Sequence, residues 1–309
     1  MKHTVVLFIF LTFASLVEAQ TATYTSTNSP LNQLSATPDN MRVLRDLPYV
    51  SNGGPLQKLD LYLPNTPGPA RPLVVFIHGG AWRAGSKENN PAKFLVPSGY
   101  VVASINYRFT QDAKFPAQIE DCKSAIRWLR AHAAEYGIDS RRIGVWGASA
   151  GGHLVALLGV TGQTKEFDQG ENLDQSSAVQ CVVDWFGPTD FLTHKQVIEA
   201  KYGNSSVEQL LGGTVKDHPD TARKASPLYY VTKDAAPFLI MHGELDPLVE
   251  VKQSQLINDA LKTVGVECTL EVIPGAKHGG TEFTTPERRK TIFEFFGKHL
   301  TNASFGSPQ

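Results

Sequence analysis

The sequence predicts an α/β fold, with a mostly parallel central sheet and helices on both of its faces. Apolar runs of strand length alternate with segments of helical period along the chain. Most of these runs are apolar almost throughout, as in strands buried between two layers of helices. A long segment of mixed polarity, about 189–236, interrupts the alternation and is predicted to be a helical insert. We therefore predict one domain, residues 42–301, with the insert over the carboxyl ends of the strands, where such segments commonly shape access to a site.

The predicted strands begin at residue 59. The first, LDLYL at 59–63, alternates apolar and polar residues, which predicts a half-exposed outer strand. The buried strands are predicted at PLVVFI (72–77), YVVASINY (100–107), RIGVW (142–146), VQCVVDWF (179–186) and PFLIM (237–241). CTLEVI, at 268–273, is predicted to be a further strand.

Three helices stand out by their period. The clearest is residues 116–137, where Pro116 suits the first turn and Gly137 suits the end. Its apolar stripe comprises Ile119, Cys122, Ile126, Leu129 and Ala133. Residues 249–264 and 286–300 are predicted to form two more helices.

The N-terminal segment resembles an export signal. Lys2 and His3 precede an apolar run, and VEA at 17–19 has small residues at the positions that a signal peptidase reads, which predicts a signal peptide over residues 1–19. The run is shorter than the roughly 20 residues that span a bilayer, so no stable membrane span is expected. We expect the protein to be exported, to the periplasm or the extracellular space; the alternative is a buried N-terminal strand.

The segments that flank the predicted domain lack periodicity. Residues 20–41 are rich in Thr, Ser and Asn, which predicts a flexible leader, and residues 302–309 form a C-terminal tail.

Composition excludes some functions. The chain of 309 residues has 29 basic and 30 acidic side chains, and no cluster of Lys and Arg that would bind nucleic acid.

The three cysteines, Cys122, Cys181 and Cys268, are odd in number and widely spaced, which predicts buried free thiols; one bridge between two of them is the alternative. No C-x-x-C or H-E-x-x-H pattern is present, so neither a metal site nor a cofactor is expected.

One serine lies in a run of small residues, GVWGASAGGHL, at 144–154. Residues 147–151 match G-x-S-x-G between a predicted strand and an apolar helix, the context of a nucleophile elbow. A strained turn packed closely against strand and helix needs small neighbours, which predicts Ser149 as a nucleophile. One alternative is an ordinary tight turn. The other, a dinucleotide-binding G-x-G-x-x-G turn, fails because Ser149 stands at the second glycine.

An oxyanion site is predicted upstream. In FIHGGAW, at 76–82, two glycines follow a strand and let backbone N–H groups turn inward. Together with the N–H of Ala150, directly after the serine, they would hold an oxyanion. The alternative is an ordinary glycine turn.

The base and its acid are expected later in the chain, in the order Ser, Asp, His. Asp246 follows the strand at 237–241, and His278 follows the next strand. Of the nine histidines, His278 alone has this order and place, whereas His78 and His242 precede glycine turns and are interpreted as loop braces. The rival acids are Asp184 and Asp190, but each comes from the strand before the insert. The alternative is that Asp246 and His278 also serve as loop braces.

From about residue 42 to 300, the chain resembles the α/β-hydrolases, in the bacterial esterase group related to hormone-sensitive lipase. Within that group it is most similar to esterases that remove acetyl and feruloyl groups from xylan. The motifs that carry the resemblance are HGGAW (78–82), NYRF (106–109), FPAQIEDCKSAIRWLR (115–130), GVWGASAGGHL (144–154), DWFGPTD (184–190) and HGELDPLV (242–249).

The resemblance implies roles for specific residues. Ser149 would be the nucleophile, His278 the base and Asp246 its partner. The oxyanion donors would be the backbone N–H groups of Gly80, Ala81 and Ala150. Ala81 stands where many relatives have a third glycine, and its N–H is retained. Ala148 replaces the acidic residue common before the serine in lipase-like relatives.

The expected function is a secreted serine carboxylic-ester hydrolase that deacylates acetylated or feruloylated plant cell-wall polysaccharide. One alternative is a general short-chain carboxylesterase acting on small soluble esters, and another is a non-catalytic binding protein with the hydrolase fold. Trp82 and Trp185 are candidates for stacking on a sugar ring or an aromatic acyl group. The alternative for both is packing in the core or in loops.

Overall fold

The computed structural model describes residues 41–194, 198–199 and 204–301. The predicted signal peptide (1–19), nearly all of the predicted leader (20–41) and the C-terminal tail (302–309) lie outside the described residues.

The described chain is built around a central sheet of eight strands. These are β1 Met41–Pro48, β2 Lys58–Pro64, β3 Arg71–Ile77, β4 Val101–Ile105, β5 Ile138–Ala148, β6 Cys181–Trp185, β9 Phe238–Gly243 and β10 Cys268–Ile273. Their order is β1-β2-β4-β3-β5-β6-β9-β10. Only β1 with β2 and β2 with β4 pair antiparallel, and the other pairs are parallel. This confirms the predicted mostly parallel sheet.

Six α-helices accompany the strands in the described residues. They are α1 Ala117–Ala131, α2 Ala150–Val160, α3 Ser206–Leu211, α4 Pro219–Ala225, α5 Val251–Thr263 and α6 Pro286–Leu300. Short 3₁₀ helices occupy Pro91–Ser98, Pro227–Tyr230 and Thr281–Thr284. Of the helices in this part of the chain, none has the length and apolar character needed to cross a membrane.

Helix ends follow local chemistry. α6 begins where predicted, because the Thr285 hydroxyl accepts the N–H of Arg288 and caps the first turn. α1 ends at Ala131, earlier than the predicted end at Gly137. After it the chain tightens into turns, as shown by the bond from the Ala133 N–H to the Arg130 carbonyl.

Apolar side chains pack against both faces of the sheet. On one face, α1, α2 and α5 contribute buried residues such as Ile126, Leu157 and Ile257. On the other face, α6 contributes Phe296 and the 3₁₀ helix at Pro91–Ser98 contributes Leu95 and Val96. Helices therefore cover both faces, as the continuous apolar strands predicted.

The insert contains α3, α4 and a two-stranded antiparallel ribbon, β7 Ile198–Glu199 with β8 Asn204–Ser205. It leaves the sheet after β6 and returns at β9, the strand that leads to Asp246. The helical interpretation of the insert is thus correct for α3 and α4, whereas the ribbon was not expected.

The prediction that β2 is a half-exposed outer strand was wrong. β1, which was not among the predicted strands, pairs along the outer edge of β2 and makes it an interior strand. The polar Asp60 is fully buried in β2, with Lys87 at 2.7 Å and Arg45 at 3.2 Å from its carboxylate. A paired charge can be buried, so alternation did not indicate exposure here.

The three cysteines, Cys122, Cys181 and Cys268, are buried and free of disulfides. Burial raises the pKa of the Cys122 and Cys181 thiols well above their usual range, which keeps them protonated and inert.

Candidate active site

The sharp turn between β5 and α2 carries Ser149. Its backbone has φ of 56° and ψ of −118°, a region that L-residues seldom occupy. A Cβ atom on Gly147 would lie 2.2 Å from the Gly151 carbonyl oxygen, and one on Gly151 would lie 2.0 Å from that of Ile77. The small residues around Ser149 are therefore required by close backbone contacts.

The structure brings Ser149, His278 and Asp246 together. Nε2 of His278 lies 2.8 Å from Oγ of Ser149, and Nδ1 lies 2.6 Å from Oδ2 of Asp246. An ionised carboxylate only accepts hydrogen bonds, so Nδ1 carries the proton. Nε2 is then unprotonated and accepts the hydroxyl proton of Ser149, the geometry of a nucleophile and its general base.

The Asp246 carboxylate is buried and accepts several hydrogen bonds. Oδ1 accepts the N–H groups of Leu248 at 2.8 Å and Val249 at 3.0 Å. Burial by itself raises the pKa of Asp246, but the hydrogen bonds from His242 and His278 outweigh it and hold that pKa well below its usual range. The carboxylate stays ionised and can stabilise a charged His278.

His242 braces the loop that carries Asp246. Its Nε2 lies 2.8 Å from the Val249 carbonyl and 3.3 Å from Oδ2 of Asp246, and its Nδ1 lies 2.7 Å from Oγ of Ser254. A carbonyl only accepts, so Nε2 is protonated and Nδ1 accepts from the Ser254 hydroxyl. The sequence predicted a brace at His242 but gave no indication that it touches the acid.

The rival acids lie elsewhere. Asp190 accepts hydrogen bonds from the hydroxyls of Thr193 at 2.6 Å and Tyr229 at 3.1 Å, which places it within the insert. Asp184 is fully buried in β6 and accepts the N–H of Gly187 at 2.9 Å. Burial raises the pKa of Asp184 to about 6. Among the described contacts, neither carboxylate bonds to the ring of His278.

The loop after β3 passes directly beside the nucleophile. A Cβ atom on Gly79 would lie 3.2 Å from that of Ser149. Gly80, Ala81 and Trp82 have positive φ, at 112°, 54° and 58°. Within the described chain, no backbone carbonyl accepts the N–H of Gly80 or Ala81. The N–H of Ala150, the first residue of α2, likewise has no helical acceptor. The three predicted oxyanion donors thus remain available.

A pocket of about 370 Å³ opens over Ser149. The loop after β3 contributes Ala81, Trp82 and Arg83, and the insert contributes His194, Ser205, Ser206 and Val207. Pro188, Leu248, Val249 and His278 complete the lining. Burial lowers the pKa of His194, which favours its neutral ring in the pocket. The sequence singled out none of these insert residues, because they become neighbours of Ser149 only in the fold.

The two candidate tryptophans occupy different places. Trp82 lines the pocket, yet its side chain is only 3% exposed. Trp185 is 1% exposed and does not line this pocket; it packs against Trp146, with ring centroids 4.8 Å apart, and against Phe283 at 5.4 Å. The structure therefore places Trp185 in the core, which is the alternative to a substrate contact that the sequence left open.

Among the described residues, no cluster of three or more His, Cys, Asp or Glu side chains could hold a metal ion.

Comparison with known proteins identifies the family and several relatives. A sequence model of the BD-FAE family matches residues 59–261. The chain is 33% identical over 233 residues to Esterase LipC of Mycobacterium tuberculosis, covering 73% of this chain and 57% of LipC. It thus spans less than two thirds of the length of that relative.

Solved structures include close structural relatives. One, titled a truncated form of carbohydrate esterase from gut microbiota, has 31% identity and a TM-score of 0.77, and the match covers 86% of this chain and 99% of that one. An acetyl ester-xyloside bifunctional hydrolase from Caldicellulosiruptor lactoaceticus has 26% identity and a TM-score of 0.69, with 82% and 95% covered. The fold is that of the α/β-hydrolase esterases.

Proposed function

The chain belongs to the BD-FAE family, and from that premise we propose that it is a serine carboxylic-ester hydrolase. We propose further that it is exported and removes acetyl or feruloyl groups from plant cell-wall polysaccharide. The observation that carries the hydrolase proposal is the hydrogen-bonded series Ser149, His278 and Asp246, of which Ser149 and His278 line the pocket.

The proposed reaction is acyl transfer in two steps. Oγ of Ser149 bonds to the ester carbonyl carbon while its proton moves to Nε2 of His278. The carbonyl oxygen becomes an oxyanion, which the N–H groups of Gly80, Ala81 and Ala150 stabilise. His278 then gives its proton to the departing alcohol, and the acyl group stays on Ser149.

Water reverses these roles in the second step. His278 accepts a proton from water, the hydroxide oxygen bonds to the acyl carbon, and the proton returns to Oγ of Ser149 as the acid departs. Throughout, Asp246 holds the imidazole in one orientation and stabilises its positive charge. No metal or cofactor takes part in the proposed steps.

The pocket supports a substrate with one apolar and one hydroxyl-rich part. Pro188, Val207 and Leu248 contribute apolar atoms to the lining, whereas Arg83, His194 and Ser206 contribute polar groups. Its volume of about 370 Å³ is far larger than an acetyl group, so part of the alcohol or a larger acyl group fits as well. The similarity to a carbohydrate esterase and to an acetyl ester-xyloside bifunctional hydrolase supports the polysaccharide part of the proposal.

A general carboxylesterase acting on small esters is the second candidate. It is favoured by the match to LipC, which is named only as an esterase. Leu248, at the pocket, is 49% exposed, and an apolar rim of this kind would also suit simple alkyl or aryl esters.

The test is acetate and ferulate release from acetylated and feruloylated xylan, with an aryl acetate as a small substrate and Ser149→Ala as the control. Release from xylan and aryl acetate, abolished in Ser149→Ala, supports the whole proposal. Release from the aryl acetate alone supports the general carboxylesterase. Full activity in Ser149→Ala would overturn the assigned nucleophile. No hydrolysis by the native chain would overturn the hydrolase proposal.

A further inference from the structure

His153 connects three separate segments through its fully buried ring. It lies in α2, four residues after Ser149, and its own N–H donates to the Ser149 carbonyl at 2.9 Å. The indole N–H of Trp82 donates to Nδ1 of His153 at 3.1 Å. Nε2 of His153 lies 2.7 Å from the carbonyl of Ala225, the last residue of α4 in the insert.

The two partners fix where the proton of His153 lies. An indole N–H only donates, so Nδ1 must be the unprotonated nitrogen. A backbone carbonyl only accepts, so Nε2 must carry the proton. Burial lowers the pKa of His153 to about 4, which keeps the ring neutral at pH 7 and both bonds in place.

Trp82 needs an anchor of this kind. Ala81 and Trp82 are consecutive non-glycine residues with positive φ, a conformation that persists only where surrounding contacts hold it. The Trp82 ring meets the ring of His153 edge to face at 5.4 Å and that of Phe191 at 5.7 Å. These contacts and the indole hydrogen bond hold the side chain of the residue that follows Ala81, and the Ala81 N–H is one of the proposed oxyanion donors.

We propose that His153 is a positioning residue that fixes the oxyanion loop, Gly80 to Trp82, against the nucleophile and ties both to the insert. The inference rests on the proposed function, because it assigns His153 an effect on the reaction at Ser149. His153 touches neither substrate nor the reacting atoms; it acts through Trp82 on one side and Ala225 on the other.

The bond to Ala225 gives the insert a direct connection to the oxyanion loop. If α4 moves away, Nε2–H loses its only acceptor among the described residues in a fully buried place, which is unfavourable. A second contact also links Trp82 to the segment around α4. The N–H of Phe191, whose ring packs on Trp82, donates to Oγ of Ser226, directly after α4, at 2.9 Å. We therefore expect the oxyanion loop to keep its conformation only while α4 of the insert packs against His153.

The first test is His153→Phe, which keeps an aromatic ring and removes both hydrogen bonds. We expect kcat for an aryl acetate to fall by roughly 10–100-fold, while KM changes by less than about threefold. This fall does not exceed the decrease in kcat that removal of one oxyanion donor causes. Binding of a phosphonate that mimics the tetrahedral intermediate should weaken in parallel. Trp82→Phe removes the hydrogen bond between Trp82 and His153 from the other side. The kcat of the double variant should be no lower than that of the less active single variant.

The matched control is Thr161→Val, at the far end of the same helix. It removes a buried hydrogen bond, from the Thr161 hydroxyl to the Leu157 carbonyl at 2.6 Å, remote from Ser149. We expect a lower melting temperature and a kcat within about twofold of the native value. An equal loss of kcat in Thr161→Val and His153→Phe would overturn the positioning role, as would native kcat in a folded His153→Phe.

Nuclear magnetic resonance provides a test without any substrate. In protein labelled with ¹⁵N-histidine, we expect His153 to show protonated Nε2 and unprotonated Nδ1, and the Trp82 indole N–H to exchange slowly. Trp82→Phe should shift the Nδ1 signal. The opposite tautomer would overturn the inference even if His153→Phe does not fold. If the native chain hydrolyses no ester, the proposed function fails, whereas native kcat in the variants defeats only the role of His153.

Discussion

Nδ1 of His278 lies 2.6 Å from Oδ2 of Asp246, although the two residues leave different strands, β10 and β9. Because β9 and β10 are parallel neighbours, their carboxyl ends deliver both side chains to the same edge of the sheet. The contact fixes the proton on Nδ1 and leaves Nε2 facing Ser149. The base is thereby prepared before any substrate binds.

Replacing Asp246 should therefore inactivate the site without removing the nucleophile. In Asp246→Asn the amide can donate to Nδ1, which places the imidazole proton on Nε2 and prevents it from accepting the Ser149 proton. We expect kcat for an aryl acetate to fall by about 10³–10⁴-fold.

The control for this prediction is Asp190→Asn, which makes the same chemical change in the rival acid of the insert. Its amide oxygen can still accept from Tyr229 or Thr193, so we expect kcat to stay within about tenfold of the native value. Steady-state kinetics of both variants decide between the acids, and a larger loss in Asp190→Asn would reverse the assignment.

Sequence patterns predicted most strands of the sheet and the positions of the candidate serine, acid and histidine. G-x-S-x-G at Ser149 and the order Ser, Asp, His are local signals, and they led to three side chains that the fold brings within hydrogen-bond distance. Periodicity failed at β2, where paired charges around Asp60 let a polar residue be buried. For Trp185 the sequence left a substrate contact and core packing both open, because an apolar strand does not show which of its faces meets the pocket.

Contacts between distant segments could not be predicted. His153 lies only one helical turn from Ser149, but the partners of its ring, Trp82 and Ala225, are 71 and 72 residues away along the chain. Nothing in the local pattern of either segment indicates the other. The pocket residues of the insert, such as His194, were missed for the same reason.

Gly151 should be intolerant of even one added carbon. A Cβ there would lie 2.0 Å from the Ile77 carbonyl oxygen and 2.7 Å from that of His78, and backbone atoms of a central strand cannot yield as a flexible side chain would. We expect Gly151→Ala to lower the unfolding free energy by about 3 kcal/mol or more and to impair hydrolysis.

Thermal melts of Gly151→Ala and of a control, Gly54→Ala, test this. No atom lies within 4 Å of the Cβ position on Gly54, so its replacement should change the melting temperature by only a degree or two, about what ±0.5 kcal/mol predicts. Equal melting temperatures for the two variants would show that the elbow is less tightly packed than described.

Asp168 is paired with two buried cations and should be important for stability. Its Oδ1 lies 3.0 Å from Nη1 of Arg127 and 3.7 Å from Nζ of Lys123, and it accepts the Ser177 hydroxyl at 2.7 Å. Asp168→Asn leaves both cations without a counter-charge, and we expect a loss of about 3–5 kcal/mol in urea unfolding. Asp234→Asn, which breaks an exposed pair with Lys233, should cost less than about 1 kcal/mol. Similar losses in both variants would contradict a buried, compensated cluster at Asp168.

Asp184 should make the folded protein less stable as pH rises. It is fully buried in β6, and burial raises its pKa from 3.8 to about 6, with the Gly187 N–H and His242 offsetting only part of the effect. The folded state therefore holds this proton more tightly than the unfolded chain does. The stabilisation is complete below pH 3.8 and is lost as pH rises through 6.

Asp184→Asn removes the titrating group and keeps an oxygen that can accept the Gly187 N–H. Relative to the native protein, the variant should gain about 3 kcal/mol of unfolding free energy between pH 4 and pH 7.5, since a shift of roughly two pH units is worth that amount. Urea unfolding of both proteins across this range measures the difference directly. A difference that stays constant with pH, or that falls as pH rises, would mean that Asp184 is already ionised in the folded state, with a further hydrogen-bond donor on its carboxylate.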